Sequence, residues 1–369
     1  MTQICYCTNV HPAEDLAGVL RQLDTHAGPV REAAGLDRLG LGLWLAADVV
    51  AGLAADPSAL AALRGELDAR ELDVLTLNAF PYGGFHAEVV KHSVYRPRWT
   101  DKARLDYTAG CVTVLAGLLS ADAESGSIST LPLGWREPWT AADDEAAGTA
   151  MREITKVLRE VSARLGKPIR LAVEPEPGCV LDTVADAVSW LAPRVDPGFV
   201  GLCLDTCHLA VSFADPAETV AAIHDSGLAV VKVQASAALH VDDPRDPESR
   251  RLLAEFVEPR YLHQVRELTG SGQVLAADDL PDALEGLPAA GPWRVHFHVP
   301  LHAEPQLPLT STTGVIRAAV AAVPAETLIE VETYTWEVLP ERHRQDLVHG
   351  IAAELRWAAA ELESERVTR

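Results

Sequence analysis

Five apolar runs in this chain end in side chains that can ligate a cation or move a proton. Residues 169–174 end in Glu174, with Glu176 just beyond. Residues 200–205 end in Asp205, with His208 three residues on. Residues 230–234 carry Lys232 and Gln234, 293–298 carry His296 and His298, and 327–332 carry Glu330 and Glu332. Side chains alternate along a strand, so positions i and i+2 share a face. Lys232 therefore points with Gln234, Arg294 with His296 and His298, and Glu330 with Glu332. Polar groups on an inner face are costly unless paired or liganded. Glu, Asp, His and Glu converging at one place predict a divalent-metal site. The expected ligands are Glu174, Asp205, His298 and Glu332. His298 is preferred over His296, and Glu332 over Glu330, because each lies nearer its strand's mouth. Mixed oxygen and nitrogen donors leave Mn, Zn, Fe, Co and Mg open. Asp205 also reads as the N-cap of a helix following its strand.

Glu174, His208, Lys232 and Glu332 are the candidate catalytic groups. Lys232 has two readings. Desolvation could lower its pKa and make it a Schiff-base nucleophile, or it could neutralise the carboxylates beside it. The number of carboxylates favours the second. The amino-terminal half adds Asn9 and His11 after one apolar run, and Asn78, His86 and Lys91 after another, interleaved with Phe80, Tyr82, Phe85, Tyr95 and Trp99. Rings beside amide, imidazole and ammonium groups suit a small polyhydroxylated ligand, stacked on one side and hydrogen-bonded on the other. Gln234, His296 and Glu330 are expected to add contacts to it. The plainer alternative is a Gly/Pro-rich loop packed by its own aromatics. No Gly-rich phosphate loop is present.

Positioning these groups requires alternating elements. Strand-like stretches fall at 3–8, 39–45, 73–78, 127–131, 169–174, 200–205, 229–234, 293–298 and 327–332. Helical spacing begins at Pro12 and recurs over 58–72, 101–120, 141–165 and 341–365. Strand and helix in alternation predict a parallel sheet. Ligand groups at the carboxyl ends of its strands predict a (β/α)8 TIM barrel, one domain over 1–369. Nine strands are one too many, and 127–131 or 293–298 is the expected extra. Residues 237–290 read as an insertion near the active site, with a helical stretch at 261–265. The C-terminal helix packs outside the barrel or on a second copy of the chain, a homo-oligomer.

Hydrophobic residues make up 48% of the chain and the formal net charge is -22. The acidity argues against nucleic acid as a partner, since basic grooves supply most of that affinity. No apolar run approaches the roughly 20 residues of a membrane span. The first residues lack a basic region followed by an apolar stretch, so no signal peptide and a cytoplasmic location are expected. The six cysteines contain no Cys-x-x-Cys pair and are expected to be reduced and buried.

The segment 203–208, Cys-Leu-Asp-Thr-Cys-His, is similar to a signature of the endonuclease-IV-like branch of the xylose-isomerase-like TIM barrels. That resemblance implies divalent metals held by a Glu, an Asp with His three residues later, a His and a final Glu. Glu174, Asp205, His208 and Glu332 match the order. Gln234 stands where the superfamily has its strand-end His, so either His298 completes the set or the metal is held weakly. Seven ordered motifs further resemble the EboE family of metabolite traffic proteins. They are 7–12, 80–86, Val90-Lys91 with Val94-Tyr95, 174–177, 261–265, 296–300 and 332–336. The EboE resemblance implies a role in secondary metabolism. The expected function is a metal-dependent sugar or cyclitol isomerase or epimerase. The alternatives are a non-catalytic metabolite-binding protein of the EboE type and a metal-dependent phosphoesterase.

Overall fold

The computed structural model describes residues 4–120 and 122–367, with side chains to residue 362. Eight parallel strands close into a barrel: β1 (Ile4–Cys7), β2 (Leu39–Trp44), β3 (Leu72–Asn78), β4 (Gly126–Thr130), β5 (Ile169–Val173), β6 (Val200–Asp205), β7 (Val230–Ala235) and, last in the chain, β13 (Leu328–Val331). The barrel strands are mostly buried because both faces are covered, one by helices and one by the barrel interior. Gln3, expected at the start of the first strand, lies outside the described residues. The helix expected from Pro12 starts instead at Leu16, where Asp15 caps it by accepting from Gly18 N.

The ninth strand-like run resolves in favour of 127–131. It forms β4 inside the barrel, and 293–298 lies outside it. Between β7 and β13 the chain builds a second, antiparallel sheet: β8 (Ala237–Val241), β9 (Val265–Leu268), β10 (Val274–Ala277), β11 (Trp293–Val299) and β12 (Thr310–Ser311), in the order β10-β9-β11-β8-β12. This sheet draws on residues 237–290 and continues to Ser311. Residues 261–265 are not helical. Val265 opens β9, and residues 262–264 before it have no regular structure. β11 follows β8 in register from Trp293 to Val295, then shifts before Val299. The shift frees 296–298 from regular pairing with β8, and those are the residues that bear the two histidines.

The helix Leu347–Val367 closes the fold against the barrel's outside and the helix Gly28–Ala34. Its buried Glu354 accepts from Leu301 N, Thr333 Oγ1 and Trp336 Nε1, tying the loop after β13 to this helix. No described helix is long and apolar enough to cross a membrane.

Candidate active site

The carboxyl ends of β5, β6 and β13 bring Glu174, Asp205 and Glu332 together; one oxygen of each lies within 4.8 Å of the other two. Two of these carboxylates, Asp205 and Glu332, are anchored through one oxygen. Asp205 Oδ1 accepts from Cys207 N (2.7 Å), His208 N (3.0 Å) and Ser236 Oγ (2.6 Å). That oxygen caps the helix Thr206–Val211, while Asp205 Oδ2 is buried with no partner. The cap and ligand readings of Asp205 thus apply to different oxygens of one side chain. Glu332 Oε1 accepts from the side-chain amides of Asn9 (2.7 Å) and Asn78 (3.0 Å). Glu174 Oε2 is buried and unpartnered. His298, on β11, gives its Nδ1 proton to the Glu332 carbonyl (2.7 Å), so its Nε2 carries a lone pair. That atom also has no partner and lies 3.9 Å from Asp205 Oδ2.

Burial, then the charges of Glu332 and Asp205, push the Glu174 carboxyl well above its usual range. Burial followed by Asp205 and Glu330 does the same to Glu332. Burial also disfavours a charge on Asp205, but His208, His298 and Ser236 more than offset it and hold this carboxyl low. Burial lowers His298 to about 4. Three buried lone-pair donors without partners, on oxygen and nitrogen, fit a divalent cation. The His298 imidazole is oriented by a carbonyl on its far nitrogen, as in protein metal sites generally.

His208 and His296 stand beside this cluster, their Nε2 atoms 3.0 Å apart. Arg294, on the same face of β11, reaches Ala210 O (2.7 Å) and so fastens the helix of His208 to that strand. Above these groups lies a cavity that opens to solvent. Glu174, Glu176, Asn9, Asn78, Glu332 and the three histidines form its polar end. Phe80, Phe85, Val94, Tyr95, Tyr261 and Tyr334 are among its apolar wall.

The other sequence-derived candidates separate into two groups. Lys91 lines the cavity but is ion-paired with Asp279. His86 Nε2 bonds Asn9 O (2.7 Å), behind the cavity, and so supports Asn9. His11 does not reach the cavity; it bonds Tyr6 OH (3.2 Å) and stacks on His26. Lys232 and Glu330 form a fully buried ion pair below the cavity floor and do not line it. Burial works against a charge on Lys232, but Glu330 reverses this and raises its pKa. An ammonium held protonated is no Schiff-base nucleophile. Gln234 Oε1 accepts the Cys203 thiol (2.5 Å), so its one possible ligand atom is engaged away from the cavity. All six cysteines are buried and free, and burial holds the Cys207 thiol, near His296 and His298, well above its usual range.

A sequence model described as a xylose isomerase-like TIM barrel matches residues 32–293. The chain belongs to this family. Among solved structures, this xylose isomerase-like barrel is similar to the IolI protein with a bound zinc atom (TM-score 0.51, 12% identity, 99% of each chain covered). It is also similar to an L-ribulose 3-epimerase (0.53, 14%, 100% of this chain and 97% of that one). A third is D-allulose 3-epimerase from Methylomonas sp. in complex with D-allulose (0.52, 14%, 98% and 97%). At these identities the likeness is one of fold. No curated protein matches the sequence.

Within this family member, sequence reasoning missed Glu176, Tyr95 and Gln264. Glu176 follows Glu174 by two residues, a parity signal that Pro175 and Pro177 obscured. Tyr95 OH donates to Glu176 Oε1 (2.7 Å) and accepts from Gln264 Nε2 (3.1 Å); Gln264 Oε1 meets His296 Nδ1 (2.6 Å). Nothing in a linear sequence joins positions 95, 176, 264 and 296.

Proposed function

We propose that this protein is a divalent-metal-dependent isomerase or epimerase of a small polyhydroxylated compound, a sugar or cyclitol. One observation carries this reading: Glu174 Oε2, Asp205 Oδ2 and His298 Nε2 are buried and unpartnered at the barrel's carboxyl end, where Asp205 clusters with Glu174 and Glu332 on one side and with His208 and His298 on the other. With Glu332 they would hold one ion. Bound there, a divalent ion would supply Lewis-acid polarisation of neighbouring substrate oxygens.

The chain's own groups supply the rest. Asn9 and Asn78 fix Glu332 through one oxygen and leave the other facing the cavity. A carboxylate moves the proton on the carbon beside the substrate carbonyl, Glu174 or Glu332 where not both ligate the ion. The aromatic wall stacks on the substrate's C–H face and excludes water. Lys91 is the one lysine or arginine lining the cavity among the described residues, and it is paired with Asp279. A neutral substrate therefore suits the cavity better than a phosphorylated one, which argues against the phosphoesterase reading. The solved structures of similar fold named above include two sugar epimerases, in keeping with the proposal.

Membership of the EboE family, with a place in secondary metabolism, is the finer reading supported by the seven motifs. It includes a second reading, a barrel that binds and hands on a metabolite without turnover. The displacement of Gln234 from the ion favours it, and the intact carboxylate set disfavours it. Incubation with sugars and cyclitols in D2O separates the two. An isomerase or epimerase exchanges a substrate C–H for deuterium, and Glu174→Gln and Glu332→Gln slow that exchange by about 10²–10⁴-fold. Saturable binding with no exchange in the metal-loaded wild type sinks the enzyme reading.

A further inference from the structure

The segments that carry His298 and Glu332 are joined behind the cluster by hydrogen bonds from three sources. His298 Nδ1 donates to the Glu332 carbonyl (2.7 Å). Thr335 Oγ1 donates back to the His298 carbonyl. The third source is Glu354, which belongs to neither segment but to the C-terminal helix Leu347–Val367. Its Oε1 accepts from Leu301 N (3.0 Å), on the chain just past His298, and from Thr333 Oγ1 (2.6 Å), on the residue after Glu332. Its Oε2 accepts from Trp336 Nε1 (3.2 Å). Glu354 is fully buried. A buried carboxylate is a costly way to attach a helix, and this helix already packs through the buried Ile351, Leu355, Ala358 and Leu362. What the carboxylate adds is acceptor capacity. Its two oxygens satisfy three donors from two segments at once.

We propose that Glu354 is a positioning residue for the ion: by clamping Leu301 to Thr333 it holds the His298 imidazole in register with the barrel carboxylates. The path is short. The Glu332 carbonyl fixes the tautomer and the plane of the His298 ring, and so aims Nε2 at Asp205 Oδ2, 3.9 Å away. That carbonyl belongs to the peptide between Glu332 and Thr333, and the Thr333 hydroxyl ties the peptide to Glu354. Leu301 N ties the chain leaving β11 to the same oxygen. Without Glu354 the two segments keep only the bonds made by His298 and Thr335 themselves. Partners that orient a ligand typically cost 10–100-fold in metal affinity when removed. The inference rests on the metal reading of the cluster and adds to it a residue that touches neither ion nor substrate. The rival reading is packing alone, in which loss of Glu354 lowers stability and leaves ion affinity as it was.

The test is Mn2+ affinity by titration calorimetry on the full chain, freed of metal with EDTA and desalted. The comparison is between wild type, Glu354→Leu, Glu354→Gln, Thr333→Val and Leu355→Ala, with circular dichroism to confirm folding. Glu354→Leu keeps the bulk and removes every acceptor. Glu354→Gln keeps one carbonyl oxygen for Leu301 N and Thr333 Oγ1. Thr333→Val keeps its shape, loses one donor and guards against a misfolded Glu354→Leu. Leu355→Ala opens a cavity on the same helix and leaves Glu354 in place. The expected result is binding weakened about 10–100-fold in Glu354→Leu and in the same direction in Thr333→Val, with Glu354→Gln and Leu355→Ala near wild type. Wild-type affinity in Glu354→Leu overturns the proposal. So does an equal loss in Leu355→Ala, which makes the effect one of general destabilisation. No Mn2+ binding in the wild type sinks the metal reading itself. The positioning role is then decided without metal, by ring-nitrogen NMR spectra of the histidines, with His298 assigned by its absence in His298→Asn. A single Nδ1–H tautomer in the wild type that becomes a mixture in Glu354→Leu supports the role; the same tautomer in both overturns it.

Discussion

Asp205 divides its two oxygens between a helix cap and an open coordination position, so its loss has two separable effects. Asp205→Ala removes the cap at a cost of about 1 kcal/mol, while Asp205→Asn keeps a capping oxygen and loses the charge. Metal content measured on both should fall in both, whereas thermal stability without metal should fall more in the alanine variant. Chelation tests the cluster as a whole. At free metal 100 to 1,000 times its Kd, the bound ion adds about 3–4 kcal/mol to stability. Calorimetry in EDTA should therefore show a clearly lower Tm than in Mn2+ or Zn2+, and equal values would remove the metal from the account. Below the floor, Lys232 and Glu330 exemplify a pair whose rupture costs more than its presence gains. Lys232→Met leaves an uncompensated buried carboxylate and should cost about 3–5 kcal/mol in denaturant unfolding, much of it recovered in Lys232→Met/Glu330→Leu.

Among the elements, β2 makes room for that pair. A Cβ on Gly42 would lie 1.4 Å from Glu330 Oε1. Gly42→Ala must therefore displace a buried, paired carboxylate, and we expect about 3 kcal/mol or more of destabilisation by the same unfolding assay. The C-terminal helix carries its own titration. Burial pushes Glu354 up to about 7. The folded state then binds a proton that the unfolded state has released between about pH 4.5 and 7. Stability contributed by this group is highest below that window and falls as pH rises through it, by up to about 3 kcal/mol. Relative to Glu354→Gln, which does not titrate, the wild type should lose stability between pH 5 and pH 8; an unchanged difference would contradict the shift. The barrel elements were most legible where a short apolar run ends in a polar residue, as β5 does before Glu174 and β6 does at Asp205. The second sheet was not. Only Ser236 separates β7 from β8, so 230–241 reads as one strand rather than as a chain leaving one sheet for another. β9 and β10 are four-residue strands with no periodicity to detect.

For the molecule as a whole, the sequence placed His298 among the ligands while leaving its strand's membership of the barrel open. The i, i+2 parity of 294–298 holds in the second sheet as it would in the barrel, so the local pattern survived the uncertainty in topology. Lys232, Gln234 and Glu330 were misjudged as cavity groups for the converse reason. Parity fixes a face but not a depth, and these three lie a layer below the mouth. The proposed ligands thus come from two sheets that are not paired with one another: carboxylates from the barrel and the His298 imidazole from β11. An ion bound between them is a crosslink, and its loss would uncouple the two sheets' opening reactions. Amide hydrogen exchange should then report it regionally. Addition of metal should slow exchange across β8, β9 and β11 by an order of magnitude or more, roughly tenfold per 1.4 kcal/mol of added local stability, and leave β2 to β4 on the far side of the barrel unchanged.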